Sequence, residues 1–165
     1  MRVAVACDHP GVALKSRIIE LLRARGHEAV DLGTDSAASV DYPDYALRVT
    51  AEVTAGRCEY GILICGTGIG MSLAANKVPG IRAAVATDPY MARMARAHND
   101  ANVLCLGVRV IGEGLAEDIL DAWLATAFLG GRHAVRVEKI RRIEQQYMHS
   151  PEGSEPSGGS PCCLT

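Results

Sequence analysis

The sequence predicts one α/β domain, a three-layer sandwich in which helices cover both faces of a five-stranded parallel sheet. Three observations carry this expectation. Short β-branched runs alternate with helical stretches from Arg2 onward, an order that pairs strands in parallel through right-handed crossovers. Proline and glycine stand where helices would start and stop. The length of 165 residues fits a single domain, and a chain near this size buries roughly 68–70% of its unfolded surface.

Residues 2–7 (RVAVAC) read as a short buried strand. Pro10 follows, and Val12, Leu14, Ile18, Ile19, Leu21 and Leu22 recur at helical spacing until Gly26. Residues 27–32 give a second strand, 33–44 a polar loop, and 45–55 a helix closed by Gly56. The clearest buried strand is YGILIC at 60–65, which runs into GTGIG and an Ala-rich helix to about Lys77. A fourth strand is expected at 81–86, a helix at 89–98 and a fifth strand at 103–106. Two helices follow, at 115–129 and 132–148, the last with charge on most faces. The stretch 150–165 is rich in Ser, Gly, Pro and Glu and reads as a disordered tail, which leaves 1–149 as the folded domain.

Composition excludes several classes of function. A formal net charge of -2 gives no general attraction to nucleic acid or to an acidic membrane surface. No run approaches the ~20 apolar residues of a membrane span, and the N-terminus lacks the apolar core of a signal peptide. A cytoplasmic location is expected. The six cysteines do not fall into a staple framework. Cys7, Cys65 and Cys105 sit in or at the end of strand-like runs, where a free thiol behaves as a small hydrophobe. No His, Cys, Asp or Glu grouping has metal-ligand spacing, so neither metal nor cofactor is expected. Cys162 to Thr165 formally fits a prenylation box but lacks an upstream basic stretch, and is read as accidental.

The richest segment is the junction CGTGIG. Its glycines let the backbone turn sharply and approach a ligand closely, and the N–H groups of Gly66, Thr67, Gly68, Ile69 and Gly70 form a candidate anion nest. A tight turn with nothing bound fits the same pattern equally well. The G-x-G-x-G spacing is not the dinucleotide fingerprint, and no Gly-Lys-Ser/Thr follows as in a Walker loop. Cys65 feeds this nest. A thiolate beside backbone donors can take a proton from carbon while the donors hold the resulting oxyanion; an inert buried thiol is the alternative. Asp8 and His9 meet at the end of the first strand, where Asp8 either caps a helix or binds ligand. His98 and Asn99 lie near a helix end, and His is suited to proton transfer near neutral pH. Arg132 and Arg136, four apart, share one helix face that suits a phosphate dianion or simply faces solvent. Arg109, and Tyr42 in the loop before a helix, complete the candidates.

Together these segments resemble the type B ribose-5-phosphate isomerases and their galactose- and allose-6-phosphate isomerase relatives. The resemblance runs from about Arg2 to Tyr147, through CDH, DYPDYA, GILICGTGIGMSLAANKVPGIRAA, ARAHNDANVLCLGVRV and GGRHAVRVEKI. It implies a Rossmann-like sheet and an aldose–ketose isomerase of ribose 5-phosphate and ribulose 5-phosphate. A six-carbon sugar phosphate as substrate, or a silent phosphate-binding module, are the alternatives. By the resemblance, Cys65 is the base between C1 and C2, and Thr67 with the glycine-loop amides holds the enediolate. His98 opens the furanose ring with Asp8. His9, Arg109, Arg132 and Arg136 bind phosphate, while Tyr42 and Asn99 touch the sugar. Some family members carry Ser at the position of Cys65 and a glutamate in the next helix; here that helix reads MSLAANK, which favours the cysteine. The resemblance also implies a homodimer or dimer of dimers, with sites shared between subunits and the final helix reaching a partner.

Overall fold

The computed structural model describes residues 1–148; the expected tail at 150–165, its prenylation-like end and the domain boundary at 149 lie outside them. The strands are β1 (Arg2–Cys7), β2 (Glu28–Asp31), β3 (Tyr60–Cys65), β4 (Ala83–Val85) and β5 (Val103–Gly107). They form one parallel sheet in the order β2-β1-β3-β5-β4. The helices are α1 (Val12–Ala24), α2 (Tyr42–Thr54), α3 (Ile69–Ala75), α4 (Pro89–Asn99), α5 (Glu113–Leu124) and α6 (Arg132–Met148). The expected three-layer sandwich is the one found.

Strand alternation sorts the core into two layers, because successive side chains point to opposite faces. Val3, Val5, Cys7, Ile62, Ile64, Leu104 and Leu106 face α1, α4 and α5. Ala4, Ala6, Leu63, Cys65, Val103 and Cys105 face α2 and α3. The second face is built of smaller residues. At Gly61 an added Cβ would lie 2.5 Å from Cγ1 of Val49 on α2, so β3 meets that helix backbone-first.

Several boundaries differ from the sequence reading, each for a local reason. α2 begins at Tyr42, three residues earlier than expected, because Pro43 is an unstrained residue of the first helical turn. A 3-10 turn (His9–Gly11) precedes α1. α5 stops at Leu124 although its apolar pattern runs on to Leu129. The chain leaves the helix so that the Leu129 N–H can donate to the Ala97 carbonyl at 3.0 Å, a tertiary bond that outweighs local propensity. The second and fourth strands are shorter at both ends than expected, and α3 ends two residues sooner.

One buried charge ties the edge of the sheet to α1. The Lys15 side chain is 1% exposed and its ammonium donates to Asp31 at 2.8 Å and Asp35 at 2.6 Å. Burial opposes the charge, but hydrogen bonds to Asp31 and Asp35 outweigh it and raise the lysine above its ordinary pKa. The pair holds the turn after β2, where Gly33 packs so closely that a Cβ would lie 2.8 Å from both the Cys7 nitrogen and Lys15 Cδ. Removing both carboxylates (Asp31→Ala with Asp35→Ala) leaves an unpaired buried ammonium and is expected to cost about 3 kcal/mol. Lys15→Met removes the charge and keeps the packing, and is expected to stay within about 1 kcal/mol of the parent. Urea denaturation midpoints at unchanged slope measure both.

Candidate active site

In an open parallel sheet the loops diverge where the strand order reverses, and a crevice opens outside the carboxyl ends there. In this sheet that point lies between β1 and β3. Asp8 and His9 follow β1, and the Asp8 N–H donates to the Ile64 carbonyl of β3 at 3.1 Å. Asp8 does not cap the helix that follows, contrary to one sequence reading: its side chain makes no capping bond. Its Oδ1 and the His9 Nδ1 are buried without a hydrogen-bond partner. Burial raises the Asp8 carboxyl above its ordinary pKa, while the charges of His9 and Arg109 pull it back down. Two buried polar atoms left open in one crevice are what a polar ligand would satisfy.

The glycine loop forms the opposite wall. Cys65 ends β3, and its Sγ accepts the Gly68 N–H at 3.1 Å. Gly68 has φ +79 and can adopt that conformation without strain. The loop lies directly on β5: a Cβ at Gly107 would come within 2.6 Å of the Thr67 carbonyl carbon. Gly66 accepts the Arg109 N–H at 3.0 Å, and the Arg109 side chain runs alongside Gly66. The Thr67 hydroxyl oxygen accepts the Ile69 N–H at 3.3 Å, which leaves its own proton available to a ligand. The Tyr42 ring rests on Gly70, where an added Cβ would meet Cζ at 2.8 Å. Its early position in α2 puts it there. Asp8, His9, Tyr42, Cys65, residues 66–70 and Arg109 thus belong to one edge of the sheet.

His98, Asn99, Arg132 and Arg136 do not join them. Because β4 and β5 are parallel, α4 runs back between them and ends at the amino edge of the sheet. Asp100 caps it in the left-handed conformation, φ 46, an arrangement that costs of order 1 kcal/mol for a non-glycine residue. Its carboxylate offsets this with bonds to Arg82 at 2.8 Å and Arg96 at 3.2 Å. Arg96 is itself buried, donating to the Tyr60 hydroxyl at 2.6 Å with its guanidinium over the Tyr60 ring. α6 starts beside this corner, with exposed Arg132 and Arg136 on its first turns.

The sequence reading missed His133. Its ring stacks on His98 with centroids 4.0 Å apart and planes 4° from parallel. His133 is buried, and its pKa falls below the ordinary histidine value through burial first, then the charges of His98, Arg132 and Arg136. It stood in the GGRH motif, but no spacing linked it to a histidine 35 residues earlier (133 − 98) on another helix. Apart from these two clusters, a groove of about 570 Å³ lies between α6 and the β4 edge and shares only Asn99 with the candidate residues. Among the described residues no three His, Cys, Asp or Glu side chains converge as a metal-holding group, and no helix is long and apolar enough to cross a membrane.

Known proteins share this arrangement along nearly the whole described chain. The sequence model of a family described as Ribose/Galactose Isomerase matches residues 3–140. Ribose-5-phosphate isomerase B of Escherichia coli is 52% identical over 145 residues, 88% of this chain and 97% of that one. D-erythrulose-4-phosphate isomerase of Pectobacterium atrosepticum is 43% identical over 150 residues, 90% of this chain and 99% of that one. Among solved structures, ribose-5-phosphate isomerase B of Clostridium thermocellum has a TM-score of 0.88 at 57% identity, covering 89% of this chain and 99% of that chain. With a crevice at the switch point, a cysteine beneath a glycine loop and these relatives, the chain belongs to the ribose/galactose isomerase family of sugar-phosphate aldose–ketose isomerases.

Proposed function

We propose that the protein interconverts ribose 5-phosphate and ribulose 5-phosphate by cysteine-mediated proton transfer, as a cytoplasmic homodimer whose sites are completed across subunits. The observation that carries the chemistry is the Gly68 N–H donated to Cys65 Sγ at 3.1 Å. That bond fixes the sulfur at the mouth of the crevice, where as a thiolate it would act as the base. The thiolate takes the proton from C2 of the open-chain aldose, and the C–H electron pair becomes the C1=C2 bond while O1 takes up negative charge. Thr67 and the loop amides hold that oxygen; removing one such donor in other enzymes costs roughly 2.7–4 kcal/mol. A proton passes from O2 to O1, the Cys65 thiol returns its proton to C1, and C2 becomes the carbonyl. No electron leaves the substrate, so the step needs no cofactor.

Ring opening precedes this step. His98 with Asp8 moves protons between the anomeric hydroxyl and the ring oxygen, and the raised Asp8 carboxyl suits a group that holds a proton. His9, Arg109, Arg132 and Arg136 take the phosphate, and Tyr42 and Asn99 contact the sugar. These roles need both clusters at one substrate, while one chain keeps them on opposite edges of its sheet. A second copy that lays its α4–α6 corner over the crevice completes the set. Apolar side chains left exposed on α3 and α6 (Ile69, Leu73, Val135, Ile140, Ile143 and Tyr147) support such a partner. The Pectobacterium relative's name keeps sugar length open to test, so four-, five- and six-carbon phosphates belong in the same assay.

Three outcomes are expected. Cys65→Ala lowers ribulose 5-phosphate formation by about 10³-fold or more while phosphate-ester binding, followed by calorimetry, persists; unchanged turnover would move the base elsewhere. Cys65→Ala and His98→Ala chains, each inactive alone, regain about a quarter of parental activity when refolded together, because half of the dimers then carry one intact site. No recovery would place both groups in one subunit. Burial pushes Cys7 up to about 11 and raises Cys58 and Cys105 as well, so those thiols stay protonated. In site-resolved mass spectrometry at pH ~8, iodoacetamide is expected to label Cys65 ahead of them, with substrate slowing the labelling.

A further inference from the structure

The His98–His133 stack has no part in the chemistry described so far, although it is the most closely defined contact in the second cluster. His133 is 7% exposed, and a buried imidazole is an expensive way to fill space unless its ring is used. His98 is only half-buried and has the freer edge. Face-to-face rings at 4.0 Å fix the plane of the more exposed one. A single histidine at the end of a helix would otherwise rotate about its side-chain bonds. The clamp is anchored on both sides: Asp100, Arg82 and Arg96 hold the end of α4, and the Leu129 to Ala97 bond ties the approach to α6 against it.

The groups around the stack also bear on the charge of His133. Arg132 and Arg136 flank His133 on its own helix, and their charges oppose a further positive charge on its buried ring. The depressed pKa of His133 agrees with this geometry. His133 then offers a flat face to the His98 ring.

We propose that His133 is a positioning residue: its ring, stacked on His98, holds the His98 imidazole in the plane needed to exchange a proton with the furanose ring. This rests on the reading of His98 as the ring-opening group. Its signature is selective. Ribose 5-phosphate closes into a furanose and must be opened. D-erythrulose 4-phosphate has its terminal oxygen esterified and no five-membered ring to open, so it needs only the Cys65 step.

The test compares kcat and kcat/KM on these two substrates for the parent, His98→Ala, His133→Ala and His133→Phe, with thermal melting of each. His133→Ala is expected to lower kcat on ribose 5-phosphate by about 10- to 100-fold, the scale of a catalytic group displaced by about 1 Å, with erythrulose 4-phosphate turnover within about threefold of the parent. His133→Phe keeps a flat face and is expected to recover most of the ribose 5-phosphate rate. Equal losses on both substrates, or none on either, in a folded His133→Ala protein would overturn the proposal. So would a His133→Phe protein that melts like the parent yet behaves like the alanine variant. If His98→Ala itself fails to discriminate the two substrates, the ring-opening assignment falls and this inference falls with it. If His98→Ala discriminates and His133→Ala does not, only the positioning role is lost.

Discussion

The contact between the glycine loop and the end of β5 is the constraint on which the rest of the site depends. Gly107 and Thr67 approach so closely that even a methyl group between them would have to displace backbone. That approach presses residues 66–68 flat against the sheet and turns the Gly68 N–H onto the Cys65 sulfur. Arg109 leaves β5 two residues later and lies against Gly66 from the other side. A single short loop thereby sets the sulfur, its donor and a cation. Strand pairing supports it from below, with Cys65 opposite Gly107 in the β3–β5 register.

A second constraint comes from the direction of the chain. Parallel strands oblige each connecting helix to run back, so residues at the end of a strand and residues at the end of a helix sit on opposite edges. Cys65 belongs to the first kind and His98 to the second. No side-chain rotation brings them to one substrate within one subunit. The proposed use of both at one substrate would take the helix end from another chain, and assembly would then be part of the chemistry. The exposed apolar residues of α6 are consistent with this use of the helix, which the family resemblance had suggested.

Much of this was legible in the amino-acid order. The alternation of buried runs with helical spacing gives the layers, and CGTGIG after an apolar strand marks the loop that matters. Residues read from the motif resemblance fall into the two clusters that the fold then separates. Three things were out of reach. The end of α5 depends on a bond to Ala97 in a different helix, which no local pattern encodes. Tyr42 was counted in the polar loop, although Pro43 in the first helical turn lets α2 begin at Tyr42. His133 could not be paired with His98, since a stack between two helices leaves no periodicity in the sequence.

The crevice is also poorly satisfied in the protein alone. Asp8 Oδ1 and His9 Nδ1 are buried without partners, and an unpaired buried polar group costs about 1–3 kcal/mol. Asp100 adds a left-handed residue at the other cluster. These penalties are tolerated because packed elements surround them: the buried central strands β1, β3 and β5 on one side, and the Arg96–Tyr60–Trp123 cluster behind α4 on the other. A sugar phosphate that hydrogen-bonds Asp8 and His9 recovers what folding left unmade. Binding energy then comes from groups held in place before the ligand arrives, and little of it is spent on ordering them. The same rigidity suits the proposed proton transfers, which would depend on sulfur and imidazole holding their positions while the bonds between carbon, oxygen and hydrogen are redistributed.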